Sequence, residues 1–292
     1  MGEITQKLAQ AGLVRYPRLF NFYSDLTGAR EKISAGTFKL NCMYDYHALV
    51  NALGRSSSDR KVVTVTIPEG YECRQIFELL EKNEVCTAEE LRNAAQNGDL
   101  GEFWFLKDVK RDGPNCLEGF LFPDTYEFYE GMPAATAINK LLEVFHYRMT
   151  AEMLEWQEES GYTMRQIVTI ASMIEKEAAN DTEQYTIASV IYNRLNKDWP
   201  LQIDSTTLYE YPDHEGAPTA EMLAKDSPYN TRISKGLPPS PICNPGITSI
   251  RAALQPSSTN YMYYALNTAT GQHEFFTNAD AFNAFVATQN YD

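Results

Sequence analysis

Two glutamates, Glu175 and Glu177, stand near the end of the segment TMRQIVTIASMIEKEAAN, which starts at Thr163. Its residues Met164, Ile167, Val168, Ile170, Ala171, Met173 and Ile174 cover so much of a helical circumference that this helix is expected to be largely buried. A carboxylate at a buried helix is costly to keep ionised, because desolvation penalises the charged form. It either finds a partner or shifts its pKa upward, and an upshifted glutamic acid can give a proton at neutral pH. The chemistry on offer is general acid–base catalysis. The plainer alternative is a pair of ordinary helix-end charges with Lys176 between them. At about 100° per residue the two glutamates fall on opposite edges of the polar stripe of Arg165, Thr169, Ser172 and Lys176, so a helical wheel does not choose between them.

Other segments supply polar groups suited to a hydroxyl-rich ligand. RLNKDWPLQIDSTTLYE carries Gln202, Asp204 and Tyr209. SPYNTRISKGLPPSPICNPGITSIRAAL, from Ser227, is a long proline- and glycine-rich loop, read either as a functional loop or as a surface connector, the connector being the plainer reading. YMYYALNTATGQHEFFTN reads as a hairpin with Thr270-Gly271 at its turn, its aromatic side chains read as core in preference to a sugar platform.

These residues need elements to hold them. A helix opened by Asp181 with Gln184 follows the glutamates, its apolar stripe formed by Ile187, Ala188, Ile191 and Leu195. Before them, Thr136 to Ser160 is helical in pattern, with Ile138, Leu141, Leu142, Phe145 and Met149 on one face. Glu102 to Glu130 is aromatic-rich and broken by Gly and Pro. The N-terminal third contains an internal repeat. Shifted without gaps, Ile4 falls on Ile76, Leu8 on Leu80, Leu13 on Val85 and Leu19 on Leu91, and each copy reads as two helices around a break at Gly12 or Asn83. The second copy follows a strand (Val63, Val65, Ile67) and a Pro68-Glu69-Gly70 turn; after the first copy Ala35 to Leu40 reads as a strand and Tyr46 to Leu53 as a short helix. The expected fold class is α+β: βααβ units followed by a mixed α+β module. The expected divisions are 1–58, ending near the Gly54–Asp59 junction, then 59–160, then 161–292. The first copy lacks its leading strand, so the natural protein is expected to begin upstream, with room there for a membrane anchor.

Composition narrows the function. A formal net charge of -14 argues against a nucleic-acid partner, since a polyanion would be repelled. A glycan remains compatible. The five cysteines, Cys42, Cys73, Cys86, Cys116 and Cys243, form no CxxC pair and no cluster with the four histidines. No metal site and no cofactor is called for, and the cysteines read as scattered thiols.

The chain resembles the YceG-like family of endolytic murein transglycosylases. The resemblance rests on eight strings in order: "tIPEG" (Thr66 to Gly70), "LEGfLfPDTYef" (Leu117 to Phe128), "iAS-IEKEa" (Ile170 to Ala178), "AsViyNRL" (Ala188 to Leu195), "LQ-D-T" (Leu201 to Thr206), "sPYNTr" (Ser227 to Arg232), "GLPP-PI-NPG" (Gly236 to Gly246) and "Y-YYa" (Tyr261 to Ala265). Where the family usually has Asp-Pro-Thr, this chain has Asp204-Ser205-Thr206; where many members have Tyr-Asn-Thr-Tyr, it ends on Arg232.

That resemblance implies a single-pass membrane protein acting outside the cytoplasm, with LysM-like N-terminal units that hold glycan. It implies lytic cleavage of MurNAc–GlcNAc bonds to 1,6-anhydroMurNAc ends, termination of nascent strands, and coupling to peptidoglycan synthases. Aligned on the EKE motif, the catalytic residue is Glu177, with Glu175 as the fallback. Asn193, Gln202, Asp204, Tyr229 and Asn230 are then expected to position sugar and steady an oxocarbenium-like state. Two rivals stand beside this: a muramidase with Asp204 as second carboxylate, and a non-catalytic wall-binding protein.

Overall fold

The structure, a computed structural model, describes residues 2–29, 33, 38, 40–41, 44–54, 61–107 and 109–291. The chain packs as two compact units, Met1–Val63 and Thr64–Asp292, a coarser grouping than the three sequence divisions. Both helices and small sheets are present in an α+β arrangement.

The first unit has α1 (Gly2–Gln10), α2 (Pro17–Leu26) and α3 (Tyr46–Leu53) around a core of Leu8, Val14, Phe20, Ala29, Leu49, Val50 and Leu53. Most of the strand expected over Ala35 to Leu40 lies outside the described residues. The second unit begins within β1 (Val62–Thr66) and continues with α4 (Cys73–Lys82), α5 (Ala88–Asn97) and β2 (Thr125–Tyr129), which pairs with β1. The order is β-α-α-β.

The repeat is visible in the hydrogen bonds. Leu13 N–H donates to Leu8 C=O and Gly12 N–H to Ala9 C=O; shifted by the same register, Val85 N–H donates to Leu80 C=O and Glu84 N–H to Glu81 C=O. Both are Schellman closures, which need a left-handed residue past the helix end. Gly12 supplies it at φ +75° and Glu84 at +57°, so the counterpart of Gly12 is Glu84 rather than Asn83.

Two further expectations shift. The pattern over Thr136 to Ser160 is two helices, α6 (Ala134–Arg148) and α7 (Ala151–Ser160), because Met149 turns extended and Thr150 caps the second by accepting from Met153 N–H. The aromatic-rich segment feeds the same core, where Phe105 and Phe120 pack on Phe145.

The centre of the second unit is α8 (Met164–Glu177), opened by a Thr163/Gln166 capping box. Its residues Ile167 to Ile174 are all buried, under α9 (Asp181–Asn196), α10 (Asp204–Leu208) and α12 (Ile247–Leu254). The α9 cap is Asn180, whose side chain accepts from Thr182 and Glu183 N–H, one residue before the expected start. A short α11 (Ala220–Ala224) precedes the proline-rich loop. The hairpin forms β3 (Tyr263–Asn267) and β4 (Gln272–Phe276), antiparallel with Asn267 opposite Gln272, and α13 (Ala279–Val286) packs on both. Cys73, Cys86, Cys116 and Cys243 are free thiols.

Candidate active site

Because α8 is buried up to Ile174, its last turn delivers two glutamates into two different surroundings. Glu177 meets the start of α10 and the first strand of the hairpin. Its Oε1 accepts from the Ser205 hydroxyl (2.7 Å) and its Oε2 from the Tyr264 phenol (2.9 Å). Burial pushes the Glu177 pKa up, and the charge of Asp204 adds to the rise; the two hydroxyl donors and His273 oppose it without reversing it. The residue keeps part of its surface accessible although protein atoms crowd its carboxyl. Burial thus favours the acid form of Glu177, on a residue that keeps part of its surface accessible.

Glu175 turns elsewhere. It accepts from Gly246 N–H (2.9 Å), at the cap of α12. Glu69 crowds the same spot, so closely that a Cβ on Gly246 would fall 1.9 Å from its Oε1. Burial, then the charges of Glu175 and Asp181, raise the Glu69 pKa.

The loop preceding Ser205 is held by Thr231. Gln202 N–H donates to Thr231 C=O, Ile203 N–H to Thr231 Oγ1, and the Thr206 and Thr231 hydroxyls meet at 3.0 Å. Asp204 lies next to Ser205 and is forked by Arg232, Nε to Oδ1 at 2.7 Å and a second guanidinium nitrogen to Oδ2 at 3.0 Å. This two-point ion pair occupies both oxygens of the best second carboxylate. Gln202 is exposed, with backbone in the left-handed region at φ +54°.

The remaining expected sugar ligands are used inside the protein. Asn193 donates to the carbonyls of Thr259 and Tyr261 (3.0 and 2.9 Å), steadying the approach to β3. Asn230 is fully buried; its amide donates to Leu223 and Lys225 carbonyls and its Oδ1 accepts from Arg232 N–H. The Tyr229 hydroxyl pairs with Ser240 (2.7 Å), and its ring lies 5.3 Å from that of Tyr209. Asn193 and Asn230 thus support the site's backbone, while Asp204 and Glu177 share one neighbourhood.

Spacing alone does not reveal Ser205, Tyr264, Arg194 and the His273–Glu183 pair. Arg194, buried on α9, donates to Met262 C=O (2.7 Å) and to Leu201 C=O, tying the lead-ins to Tyr264 and Ser205 together. His273 bonds Glu183 by its ring and its backbone N–H (both 2.8 Å) and packs edge-on to Tyr264. Burial works against charge on Glu183, but these hydrogen bonds outweigh it and hold the carboxyl below its ordinary value. The "Y-YYa" string and the hydroxyl after Asp204 were the available signals.

Away from this site Glu118 is buried, at 1% exposure. It accepts from Cys73 N–H (2.9 Å), the Asn244 amide (2.8 Å) and the Tyr209 phenol (2.9 Å), and burial pushes its pKa up to about 8. The neighbouring Gly119, at φ +89°, allows this turn to pack: a Cβ there would lie 2.5 Å from Val168 and 2.7 Å from Pro241.

One partly accessible glutamate, two hydroxyl donors and an arginine-held aspartate meet at the end of α8. The chain belongs to the YceG-like family, whose profile matches residues 1–288. It is 29% identical over 279 residues to the endolytic murein transglycosylase of Bacillus subtilis (strain 168), covering 89% of this chain and 74% of that protein. Its identity to the protein of the same name from Streptococcus pneumoniae serotype 2 is 27% over 308 aligned positions, covering 98% of this chain and 56% of the relative. A solved yceG-like protein from Listeria monocytogenes has a TM-score of 0.67 at 29% identity, covering 97% of this chain and 94% of that one.

Proposed function

We propose that this chain is a lyase that cuts peptidoglycan glycan strands internally, with Glu177 as both acid and base. The observation that carries this reading is the asymmetry between Glu177, whose pKa burial raises and which accepts from the Ser205 and Tyr264 hydroxyls on a partly accessible residue, and Asp204, whose two oxygens each accept from Arg232. The family membership and the names of the relatives support it.

Neutral Glu177 donates its proton to the glycosidic oxygen between MurNAc and GlcNAc, and the C1–O bond breaks with the electron pair leaving on that oxygen. The carboxylate so formed accepts the proton of the MurNAc 6-hydroxyl as O6 bonds to C1, closing the 1,6-anhydro ring and restoring the acid. The Ser205 and Tyr264 donors stabilise the carboxylate between the two transfers. The internal nucleophile gains on the order of 7–11 kcal/mol from proximity in good geometry, which removes the need for a second carboxylate.

In this reading the N-terminal units, LysM-like, hold glycan, and the enzyme acts outside the cytoplasm, tethered by a membrane segment outside this chain. Among the described residues no helix is long and apolar enough to cross a membrane. Termination of nascent strands alongside peptidoglycan synthases completes the reading.

Digestion of uncrosslinked strands in oxygen-18 water tests the chemistry. Anhydro ends free of the heavy isotope are expected. Reducing ends that carry it would replace this reading with a muramidase, and binding without cleavage would leave a wall-binding protein.

A further inference from the structure

The segment joining α9 to α10 carries a feature that the acid–base chemistry does not use. Trp199 is 42% exposed, and no hydrogen bond of its indole N–H occurs among the described residues. It is nevertheless firmly placed. Trp199 N–H donates to Arg194 C=O (2.9 Å) and Asp198 N–H to Leu195 C=O, a Schellman closure that accounts for the left-handed Asp198 at φ +53°. Its ring stands edge-on to Tyr263 at 6.3 Å, and Tyr263 is itself stacked on Phe282 (5.2 Å) and covered by the Arg194 guanidinium (5.4 Å).

Three residues on is Gln202, whose left-handed backbone has no helix end to explain it and whose side chain is exposed. Strain of this kind persists where the surroundings impose it, and it clusters at ligand sites. The facing segment is pinned to this one at both ends, by Gln202 N–H to Thr231 C=O (3.0 Å) and by the Lys235–Asp198 ion pair (2.5 Å). Between those pins it exposes Ile233, at 49%. An exposed indole on a hydrogen-bonded turn, in a stretch of chain that also exposes Gln202 and faces a segment exposing Ile233, suits a pyranose ring. Such a ring offers a face of C–H groups to an aromatic surface and hydroxyls to an amide at its edge. Six residues separate Trp199 from Ser205, so their Cα atoms lie within roughly 20 Å, along the chain from the acid.

We propose that Trp199, with Gln202 beside it, is a sugar platform that grips the glycan strand at a distance from the bond being cut. This rests on the glycan reading above and extends it: the platform sets the minimum strand length the enzyme uses well. Remote binding of this sort strengthens substrate capture without touching the reacting atoms.

Two measurements test it. On long uncrosslinked strands Trp199→Ala is expected to raise KM about tenfold with kcat little changed, as loss of one aromatic contact of about 1.4 kcal/mol would do. Trp199→Phe should recover most of the loss, and fragments too short to span from Glu177 to Trp199 should be cut equally by all three proteins. An unchanged KM on long strands, or an equal loss on short and long ones, overturns the platform while leaving the lyase reading intact. The second measurement needs no turnover. In the Glu177→Gln protein, added glycan strands are expected to change an indole emission that Trp199→Phe abolishes and that Trp104→Phe and Trp156→Phe preserve. That signal in a protein whose wild type fails to cleave would sustain the platform and sink the lyase chemistry. Its absence where wild type does cleave would do the reverse, and absence of both binding and cleavage would overturn the two together.

Discussion

Glu118 and Glu177 are both glutamates drawn from water into the second unit, and burial raises the pKa of both. Their donors separate them. Glu118 is enclosed, held by a backbone N–H, the buried amide of Asn244 and the Tyr209 phenol, and it joins the start of α4, the 113–121 turn and the proline-rich loop. Glu177 is held by two hydroxyls, one at the start of α10 and one on β3, and the residue stays partly accessible. A raised pKa therefore does not by itself mark a catalyst. Burial raises the pKa of an enclosed carboxyl and of a partly accessible one alike, and what differs between these two is access.

The largest expected effect breaks the pair apart. Glu177→Gln should lower turnover by on the order of 10²–10⁴-fold with an unchanged melting temperature, since the amide keeps the volume and cannot transfer the proton. Glu118→Gln should leave turnover near that of the parent, because its amide imitates the protonated acid. If Glu118→Gln abolished cleavage and Glu177→Gln did not, the roles assigned here would be exchanged.

Next in size is Glu118→Ala, which strands the Asn244 amide, Cys73 N–H and Tyr209; a loss of roughly 2–5 kcal/mol is expected in denaturant unfolding. The same glutamate gives a pH signature. Its folded pKa of about 8 exceeds the ordinary 4.5, so the folded state holds the extra proton between those values. Its contribution to stability is complete below about 4.5 and is lost as pH rises through about 8. Melting temperatures recorded across that window should fall less steeply in Glu118→Gln than in the parent.

Smaller effects are expected around Glu177. Ser205 and Tyr264 both favour its carboxylate form, so Ser205→Ala or Tyr264→Phe should raise its pKa further and move the alkaline limb of kcat/KM to higher pH. A turnover loss of about 5–10-fold in each matches one hydrogen bond to a developing charge. A downward move of that limb would contradict the donor geometry. Smallest of all is Glu175→Gln, which keeps an acceptor for Gly246 N–H and is expected to cost about 1 kcal/mol or less, with turnover close to the parent's. Severe loss there would mean that Glu175 is the acid.

Much of the scaffold was legible in residue order. The near-continuous apolar surface of Met164 to Ile174 required a buried helix, and Thr270-Gly271 between aromatic runs required a hairpin. The shift that superposes Leu8 on Leu80 carried over to the turn hydrogen bonds of both copies. Local patterns of this kind are set by neighbours a few residues away, so the chain itself records them. Even so, Met149 and Thr150 divided what reads as one helix, because an extended residue and its cap leave the apolar periodicity almost intact. Asn193 and Asn230 look from sequence like sugar ligands, yet their amides are spent on backbone carbonyls, and an amide's partner is not written in its neighbours.

The choice between Glu175 and Glu177 belongs to the tertiary structure. Residue order placed two glutamates at the end of a buried helix and left proton transfer and ordinary helix-end charge as alternatives; the wheel set them on opposite edges and stopped there. What parts them is the company each keeps: the Gly246 cap on one side, and Ser205 and Tyr264, 28 and 87 residues away, on the other. The cost of burying a carboxylate depends on donors brought from such distances, so its surroundings and its pKa are set only when the chain closes around it.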